Sequence, residues 1–331
     1  MISENRKSVL FMGPRFFGYE ASIIKAIEHN GFEVDFFDER FSNKSFLKAI
    51  FRVKKELLHL MIRRYYNNIT KKIGDKKYDY LFLIKGEVVP ESFLRRFKKN
   101  NPSAKLIFYT YDSFNNNNPN SVYILKHFDK CFSFDFEDVK NNPRLQLKHL
   151  FYTDEYFTSS ITGKRRYDIS FVGTLHPERY MVIKKLFAKF HKTYAFFYIP
   201  AKWFFLIQKL QKKSFRRLKR EEVSFKKLTK LEVADIFRNS ESVFDLQRIG
   251  QTGLTMRTFE VLATGAILVT TNQYIKQTDF YDPEKIIVLE GNEADELRQV
   301  SNKVEAYSKM KNTAVNIDKY HVNTWVKEFF E

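Results

Sequence analysis

Short apolar runs that stop at a glycine, each followed by a helical spacing, recur along this chain and limit what it can fold into. Residues 8–12 (SVLFM) run into Gly13-Pro14, residues 21–29 carry apolar side chains at helical spacing with Gly31 closing them, and residues 33–37 form a second strand. Residues 80–84 (YLFLI) end just before Gly86, residues 90–99 read as a helix with a proline at its start, and 106–111 and 131–134 read as further strands. A second series begins with the strand 167–172 and Gly173. It continues through a helix at 177–191, a strand at 194–199, a helix at 231–238, a strand at 243–246, a helix at 254–264, and strands at 267–271 and 286–289. Strands alternating with helices imply parallel sheets. The expected fold class is therefore α/β, with two Rossmann-like domains facing a central cleft. Their bounds are 1–152 and 167–331, joined by a polar, Ser/Thr-rich linker at 153–166. The last helix has two possible homes, its own domain or the first.

A length of 331 residues suits two domains, and 44% hydrophobic residues supply their cores. The single cysteine, Cys131, excludes an intrachain disulfide and a thiolate zinc site. No run of about 18 apolar residues exists to span a membrane. Residues 1–13 lack the apolar core of a signal peptide, so a cytoplasmic location is expected. The net charge of +18 is concentrated in two places: 44–72 holds nine Lys/Arg against one Glu, and 202–220 holds eight with no acid. Local basicity points to an anionic partner: membrane headgroups, nucleic acid or a phosphorylated substrate. In 202–220, Trp203, Ile207, Leu210 and Leu218 fall near one helical face with charges mostly opposite. That pattern fits an interfacial helix on an anionic membrane, and equally a helix covering its own sheet. The segment 46–66 is richer in aliphatic residues and is expected to pack on the core.

In parallel sheets ligands bind beyond the carboxyl ends of strands, so the residues after each strand are the candidates. Residues 250–271, GQTGLTMRTFEVLATGAILVTT, read as turn, helix, glycine, strand. Gly250, Gln251, Thr252 and Gly253 make the turn, the helix starts near Leu254, and Gly265 ends it. Met256, Phe259, Leu262 and Ala263 share one face; Gly253, Arg257 and Glu260 share another. A helix N-terminus suits a phosphate, the Arg257 fork suits a diphosphate, and the Glu260 carboxylate suits both hydroxyls of a ribose. Spacing leaves a second reading open, in which Arg257 and Glu260 pair with each other on a solvated face. Gly173, Thr174, Leu175 and His176, with Arg179 nearby, form either a phosphate-contacting loop or an ordinary βα connection. Gln247 and Gln251 flank the turn and either read the base or sugar or are plain loop residues. For a catalytic base, Asp112 and Glu87 stand at strand ends, with His127, His149 and His176 as alternatives. Asp135 serves equally well as a helix cap. No cluster has metal-ligand spacing, and neither a serine elbow nor a Walker loop is present.

Arg257-Thr258-Phe259-Glu260 followed by Ala263-Thr264-Gly265 resembles the donor-binding element of GT-B glycosyltransferases. The resemblance is strongest to the bacterial group of spore-maturation-type (CgeB-like) and capsule or lipopolysaccharide assembly transferases. YDISFVGT at 167–174 with Arg179 looks like the start of that group's second domain. FFGYE at 16–20, YDS at 111–113 and FSFDFED at 132–138 look like landmarks of its first. The resemblance implies a nucleotide-sugar donor held mainly by the second domain, no cofactor and no essential metal. It also implies a glycan or lipid-linked acceptor met by the first domain around Gly18 and Tyr19, at the cytoplasmic face of a membrane. The Gly-rich loop after the first strand is only partly present, as residues 13–18. Two readings from other classes stand beside it. One is a nucleic-acid-binding protein using 44–72 and 202–220, although no nucleic-acid module is recognisable and no nucleic acid is the expected partner. The other is a non-catalytic GT-B scaffold.

Overall fold

The computed structural model describes residues 6–42, 58–115, 118–158, 164–175, 177–211, 215, 218–248, 250–291, 294–309 and 315–331. The chain divides into two compact units. Unit 1 is Met1–Leu150 with Gly250–Gly253 and Lys319–Glu331; unit 2 is Phe151–Ile249 with Leu254–Asp318.

Unit 1 holds strands β1 (Ser8–Gly13), β2 (Glu33–Asp38), β3 (Tyr80–Ile84), β4 (Lys105–Thr110), β5 (Lys130–Ser133) and β6 (Leu145–Leu147). They form one sheet in the order β2-β1-β3-β4-β5-β6, every pair parallel. The central strands are buried on both faces, which is why they read as unbroken apolar runs. Around them lie α1 (Tyr19–His29), α2 (His59–Ile73), α3 (Glu91–Asn100) and α4 (Phe136–Asn141). The sheet grows from β1 to β2 in one direction and from β1 to β3 in the other. The β1/β3 boundary is therefore its topological switch point.

Unit 2 repeats the plan with β7 (Tyr167–Thr174), β8 (Thr193–Tyr198), β9 (Val223–Ser224), β10 (Ser240–Asp245), β11 (Ile267–Thr270) and β12 (Ile286–Val288). Their order is β12-β11-β10-β7-β8-β9, again all parallel, with the switch point between β7 and β10. Its helices are α5 (Pro177–Phe187), α6 (Lys202–Gln211), α7 (Lys230–Arg238), α8 (Met256–Ala263) and α9 (Ala294–Ser308). A capping box of Thr229 and Glu232 starts α7, satisfying N–H groups that the helix leaves unpaired.

The segment read as a linker is part of unit 2 where it is described. Tyr156 is buried and packs near Phe237 (centroids 6.2 Å apart), and the buried Arg165 guanidinium donates to the carbonyls of Ser240 and Thr264. The amphipathic reading of 202–220 needs correcting. α6 ends at Gln211, and Phe215 and Leu218 lie in the unit 2 core, so Leu218 does not share a face with Trp203. Among the described side chains of α6, Trp203, Leu206, Ile207 and Leu210 are exposed apolar residues. Residues 43–57 lie outside the described residues. The remainder of the first basic segment is α2, which buries Ile62, Tyr66 and Ile69 in unit 1. No helix among the described residues is long and apolar enough to cross a membrane.

The last helix, α10 (Val322–Phe330), belongs to unit 1. Its apolar face presents Trp325, Phe329 and Phe330 to Tyr80, Phe82, Tyr109 and Phe132, with ring centroids 4.8 to 5.8 Å apart. Trp325 also donates its indole N–H to the His149 carbonyl at 2.7 Å. Truncating so large a buried ring leaves a cavity and an unpaired carbonyl. Trp325→Ala is expected to lower unfolding stability by about 3–5 kcal/mol, read as a lower urea midpoint by circular dichroism.

Candidate functional site

At the unit 2 switch point, β7 ends in Gly173-Thr174 and β10 ends in Asp245. Gly173 is dictated by packing: a Cβ there would lie 2.7 Å from the Phe171 ring. The same ring carries the Arg257 guanidinium, 5.9 Å from its centroid. Asp245 is buried. One of its oxygens accepts the hydroxyls of Thr255 (2.6 Å) and Thr258 (3.4 Å), tying the start of α8 to the end of β10. Its other oxygen, Oδ1, is 3.6 Å from Arg257 Nη1, an ion pair without a hydrogen bond. Both Asp245 Oδ1 and Arg257 Nε are buried atoms with no hydrogen-bond partner. Buried polar groups are almost always bonded, which sets this pair apart from the neighbouring Thr255 and Thr258 contacts.

Glu260 is only 4% exposed and is hydrogen-bonded by the hydroxyl of Tyr156. Burial, reinforced by the Glu260 charge, holds the Tyr156 phenol well above its ordinary pKa, so Tyr156 is the donor. Thr258 through Ala263 are all buried, which removes the reading of Arg257 and Glu260 as a pair on a solvated face. Tyr156 and Asp245 were not singled out from sequence. An aspartate closing an apolar strand was a usable signal for Asp245; nothing in the sequence ties Tyr156 to Glu260, 104 positions away.

The turn Gly250–Gly253 belongs to unit 1. Asp135 Oδ2 accepts the N–H groups of Thr252 (2.9 Å) and Gly253 (3.0 Å), and Oδ1 accepts the Thr252 hydroxyl (2.6 Å). Asp135 also caps α4 through Glu137 N and Asp138 N. A carboxylate therefore already holds the Thr252 and Gly253 N–H groups in the turn where a phosphate was expected. Gly253 is required by proximity: a Cβ would meet the Phe134 ring at 2.5 Å and its carbonyl at 2.7 Å. Gln251 Nε2 lies 3.5 Å from Gly253 O; Gln247 N donates to the Thr271 hydroxyl; Leu254 is buried in unit 2. His176 and the Arg179 side chain lie outside the described residues.

In unit 1, the ends of β2, β3 and β4 bring charged side chains together. Lys85 Nζ is 2.5 Å from Asp112 and 3.4 Å from Glu87, and Arg40 Nη2 is 2.7 Å from Glu87. Both candidate bases are thus ion-paired. Beneath them Glu39 is completely buried. It accepts Glu87 N on Oε2 (2.8 Å), and its Oε1 has no hydrogen-bond partner. Burial pushes its carboxyl up to about 8. Gly18 is left-handed (φ 74°) at the start of α1, and Tyr19 follows with its ring 6.4 Å from that of Phe16. Of the histidine alternatives, His127 bonds Glu91 (3.0 Å), and the His149 ring packs between Phe136 and Tyr320. Among the described residues no three His, Cys, Asp or Glu gather as a metal site.

Residues 212–324 match a family model described as glycosyl transferase-like, which leaves the first 211 residues outside it. No curated protein matches in sequence. Solved structures match over nearly the whole chain. A glycosyltransferase from Rickettsia africae has 12% identity and TM-score 0.63, covering 98% of this chain and 97% of its own. The Anabaena Alr3699/HepE protein in complex with UDP-glucose has 10% identity and TM-score 0.62, covering 98% of each. A UDP-GlcNAc 2-epimerase from Neisseria meningitidis, bound to UDP-GlcNAc, has 10% identity and TM-score 0.55, covering 98% of each. The fold is GT-B. Within that fold, the family match takes in α8 and Asp245 and supports glycosyl transfer.

Glu39 generates a pH prediction. Its carboxyl stays protonated in the folded chain up to about pH 8, whereas in the unfolded chain it ionises near 4.5. Between those values the unfolded state binds fewer protons, so this group removes stability as pH rises, by at most about 1.4 kcal/mol per pH unit. Glu39→Gln keeps the shape and abolishes this pH dependence. Urea unfolding from pH 5 to 8 is expected to show the variant gaining on the wild type; parallel curves would contradict the assignment.

Proposed function

We propose that the chain is a glycosyltransferase that moves a sugar from a nucleotide-sugar donor to a surface-glycan acceptor of the capsule, O-antigen or lipopolysaccharide kind, at the cytoplasmic face of a membrane. The observation that carries the donor half is Arg257 at the unit 2 switch point. It is held by Asp245 and the Phe171 ring but left with a buried, unbonded Nε. A planar cation with an unused donor suits a diphosphate. Gly173 and Thr174 end β7 at the same switch point and offer backbone to it, and Glu260, oriented by Tyr156, takes the ribose hydroxyls. The uridine nucleotides bound by Alr3699/HepE and by the epimerase support testing UDP-sugars first.

In the reaction the acceptor oxygen bonds to the anomeric carbon while the bond from that carbon to the diphosphate breaks. The electron pair leaves with the nucleoside diphosphate. Arg257 stabilises that developing charge without a metal. The acceptor proton passes to Asp112 or Glu87 if the reaction inverts, and to the departing phosphate if it retains.

Supporting the membrane location, α6 exposes Trp203 (65%) and Leu210 (76%) beside Leu206 and Ile207, in a segment with eight Lys/Arg and no acid. Apolar residues entering the interface and cations meeting anionic headgroups are the two forces that hold such a helix on a membrane. Leu210→Glu is expected to abolish co-sedimentation with vesicles containing phosphatidylglycerol, while wild type fails to bind neutral vesicles. Equal binding by both proteins would remove the membrane role.

Thermal-shift titration with UDP-, GDP-, CMP- and dTDP-sugars tests the donor half. One of them is expected to raise the melting temperature. Arg257→Ala is expected to lower donor turnover by about a hundredfold or more, with the circular dichroism spectrum intact, and Glu260→Ala to lower it as well. Full turnover in both variants would sink the reading. Binding without turnover would indicate a scaffold, and epimerised sugar without transfer would indicate an epimerase.

A further inference from the structure

The edge of the unit 1 sheet opposite the strand carboxyl ends carries a cleft that the proposed reaction does not use. It lies where α3 ends, where residues 101–104 turn into β4, and where the 3-10 turn Pro119–His127 stops. Its volume is about 410 Å³, toward the lower end of the range for small-molecule sites. Hydrogen bonds tie its walls in place, so it is preformed. Asn101 is buried, and its side chain accepts Tyr78 N (2.9 Å) and donates to Phe97 O (3.1 Å). Ala104 N donates to Asn101 O (3.1 Å), Lys98 Nζ to Ala104 O (2.6 Å), and Leu106 N to Asp129 (2.7 Å).

The apolar part of the lining is Leu94, Leu106 and Pro102, the two leucines belonging to the unit 1 core. The rest is Arg95, Lys98, Lys99 and His127, and among the described residues no acidic side chain lines the cleft. The stems of Arg and Lys extend an apolar surface while their heads stay in water. The neighbouring acids are already committed. One oxygen of Glu91 takes Lys126 (3.0 Å), His127 (3.0 Å) and Arg95 (3.2 Å). Asp129 accepts Leu106 N and lies 3.8 Å from Lys98. Lys99 has no ion pair among the described residues. A helix C-terminus favours lysines in its last turn, which accounts for Lys98 and Lys99 being there. It does not account for their walling an apolar hollow, together with Arg95, where cations outnumber acids.

We propose that this cleft binds a small anionic amphiphile, a short apolar chain ending in a carboxylate or phosphate, with the chain against Leu94, Pro102 and Leu106 and the head between Arg95 and Lys99. Arg95 and Lys99 stand one turn apart on α3, at i and i+4, so one anionic group can reach both. The two halves of the lining select the two halves of the ligand. A bare anion would meet exposed cations in water, where an ion pair contributes little. An uncharged chain would leave the cations unused. A chain with a charged end gains apolar burial and places its head where acids are short. None of the lining residues is among those at either switch point, so the ligand and a nucleotide sugar are not expected to compete. The site does not rest on the glycosyltransferase reading.

The test is isothermal titration calorimetry of the full chain with butyl, hexyl and octyl phosphate, each below its micelle concentration. A second arm with butanoate, hexanoate and octanoate distinguishes a fatty acid from a phosphate ester as the source of the head. At least one series is expected to bind, tightening by up to about fourfold per added methylene. Octanol, without the charge, and inorganic phosphate, without the chain, are each expected to bind about tenfold more weakly or worse than the octyl ligand. Arg95 and Lys99 are exposed, and glutamine keeps their helix propensity. The double variant Arg95→Gln, Lys99→Gln is expected to weaken the octyl ligand about tenfold or more, with the circular dichroism spectrum intact. Arg95→Lys with Lys99→Arg, which keeps both charges, is expected to retain binding. The proposal is overturned if neither series binds, if affinity does not rise with chain length, or if octanol or inorganic phosphate matches the octyl ligand. It is also overturned if the glutamine variant binds as wild type does, including the case in which Leu210→Glu alone abolishes binding and so places the amphiphile on α6.

Discussion

Strand polarity governs the chemistry of this chain. Every strand pair in both sheets is parallel, so all carboxyl ends of a sheet lie along one edge, and the connection leaving each strand starts from that edge. A parallel sheet of this kind has one boundary where the order reverses, and the connections on either side of it diverge and leave a crevice. In unit 1 that boundary lies between the loop of Phe16 and Phe17 and the loop of Lys85 and Glu87. In unit 2 it lies between Gly173 and Asp245. Asp245 Oδ1, Arg257 Nε and Glu39 Oε1, buried without a hydrogen-bond partner, lie at this edge of their sheets, while opposite strand ends are capped by ordinary pairs such as Ser8 with Asp79 and Lys192 with Asp168.

Four buried carboxylates show how differently the fold manages charge. Asp135 is satisfied by five donors and acts as a staple between α4 and the turn at Gly250–Gly253, within unit 1. Asp245 is satisfied on one oxygen and faces an arginine on the other. Glu260 has a phenol for a donor. Glu39 answers burial by keeping its proton. A fully bonded carboxylate has no reason to bind anything, so Asp135 is structural. Asp245 Oδ1 and Arg257 Nε are not bonded, and on the proposed reading that difference, rather than residue type, separates architecture from site.

Much of the architecture was legible in the sequence because apolar periodicity and glycine punctuation are local signals. The strands at 8–13, 80–84 and 267–270 were visible for that reason; the short strands at 145–147 and 223–224 were not, being too brief to show a period. The site was legible only as far as its local part. Arg257 and Glu260 could be placed on one helical face by counting. That their partners are Asp245 and Tyr156 depends on how unit 2 folds. The turn at 250–253 shows the limit most clearly. Its composition suggested a phosphate loop, but Asp135, more than a hundred residues earlier in the chain, occupies its N–H groups. Leu218 failed for a similar reason, since helical periodicity was extrapolated past Gln211, where α6 stops.

A GT-B fold does not choose a reaction, since a transferase and a UDP-GlcNAc epimerase both share it with this chain. Nucleotide-sugar binding does not choose one either, because both activities require it. What distinguishes transfer is a second organic substrate, with a hydroxyl to be deprotonated and a ring to be held still. An epimerase acting on its own bound sugar has no use for a further platform. On the proposed reading, the ends of the unit 1 strands, where Glu87 and Asp112 are ion-paired, bear on the choice of reaction more directly than any feature of unit 2.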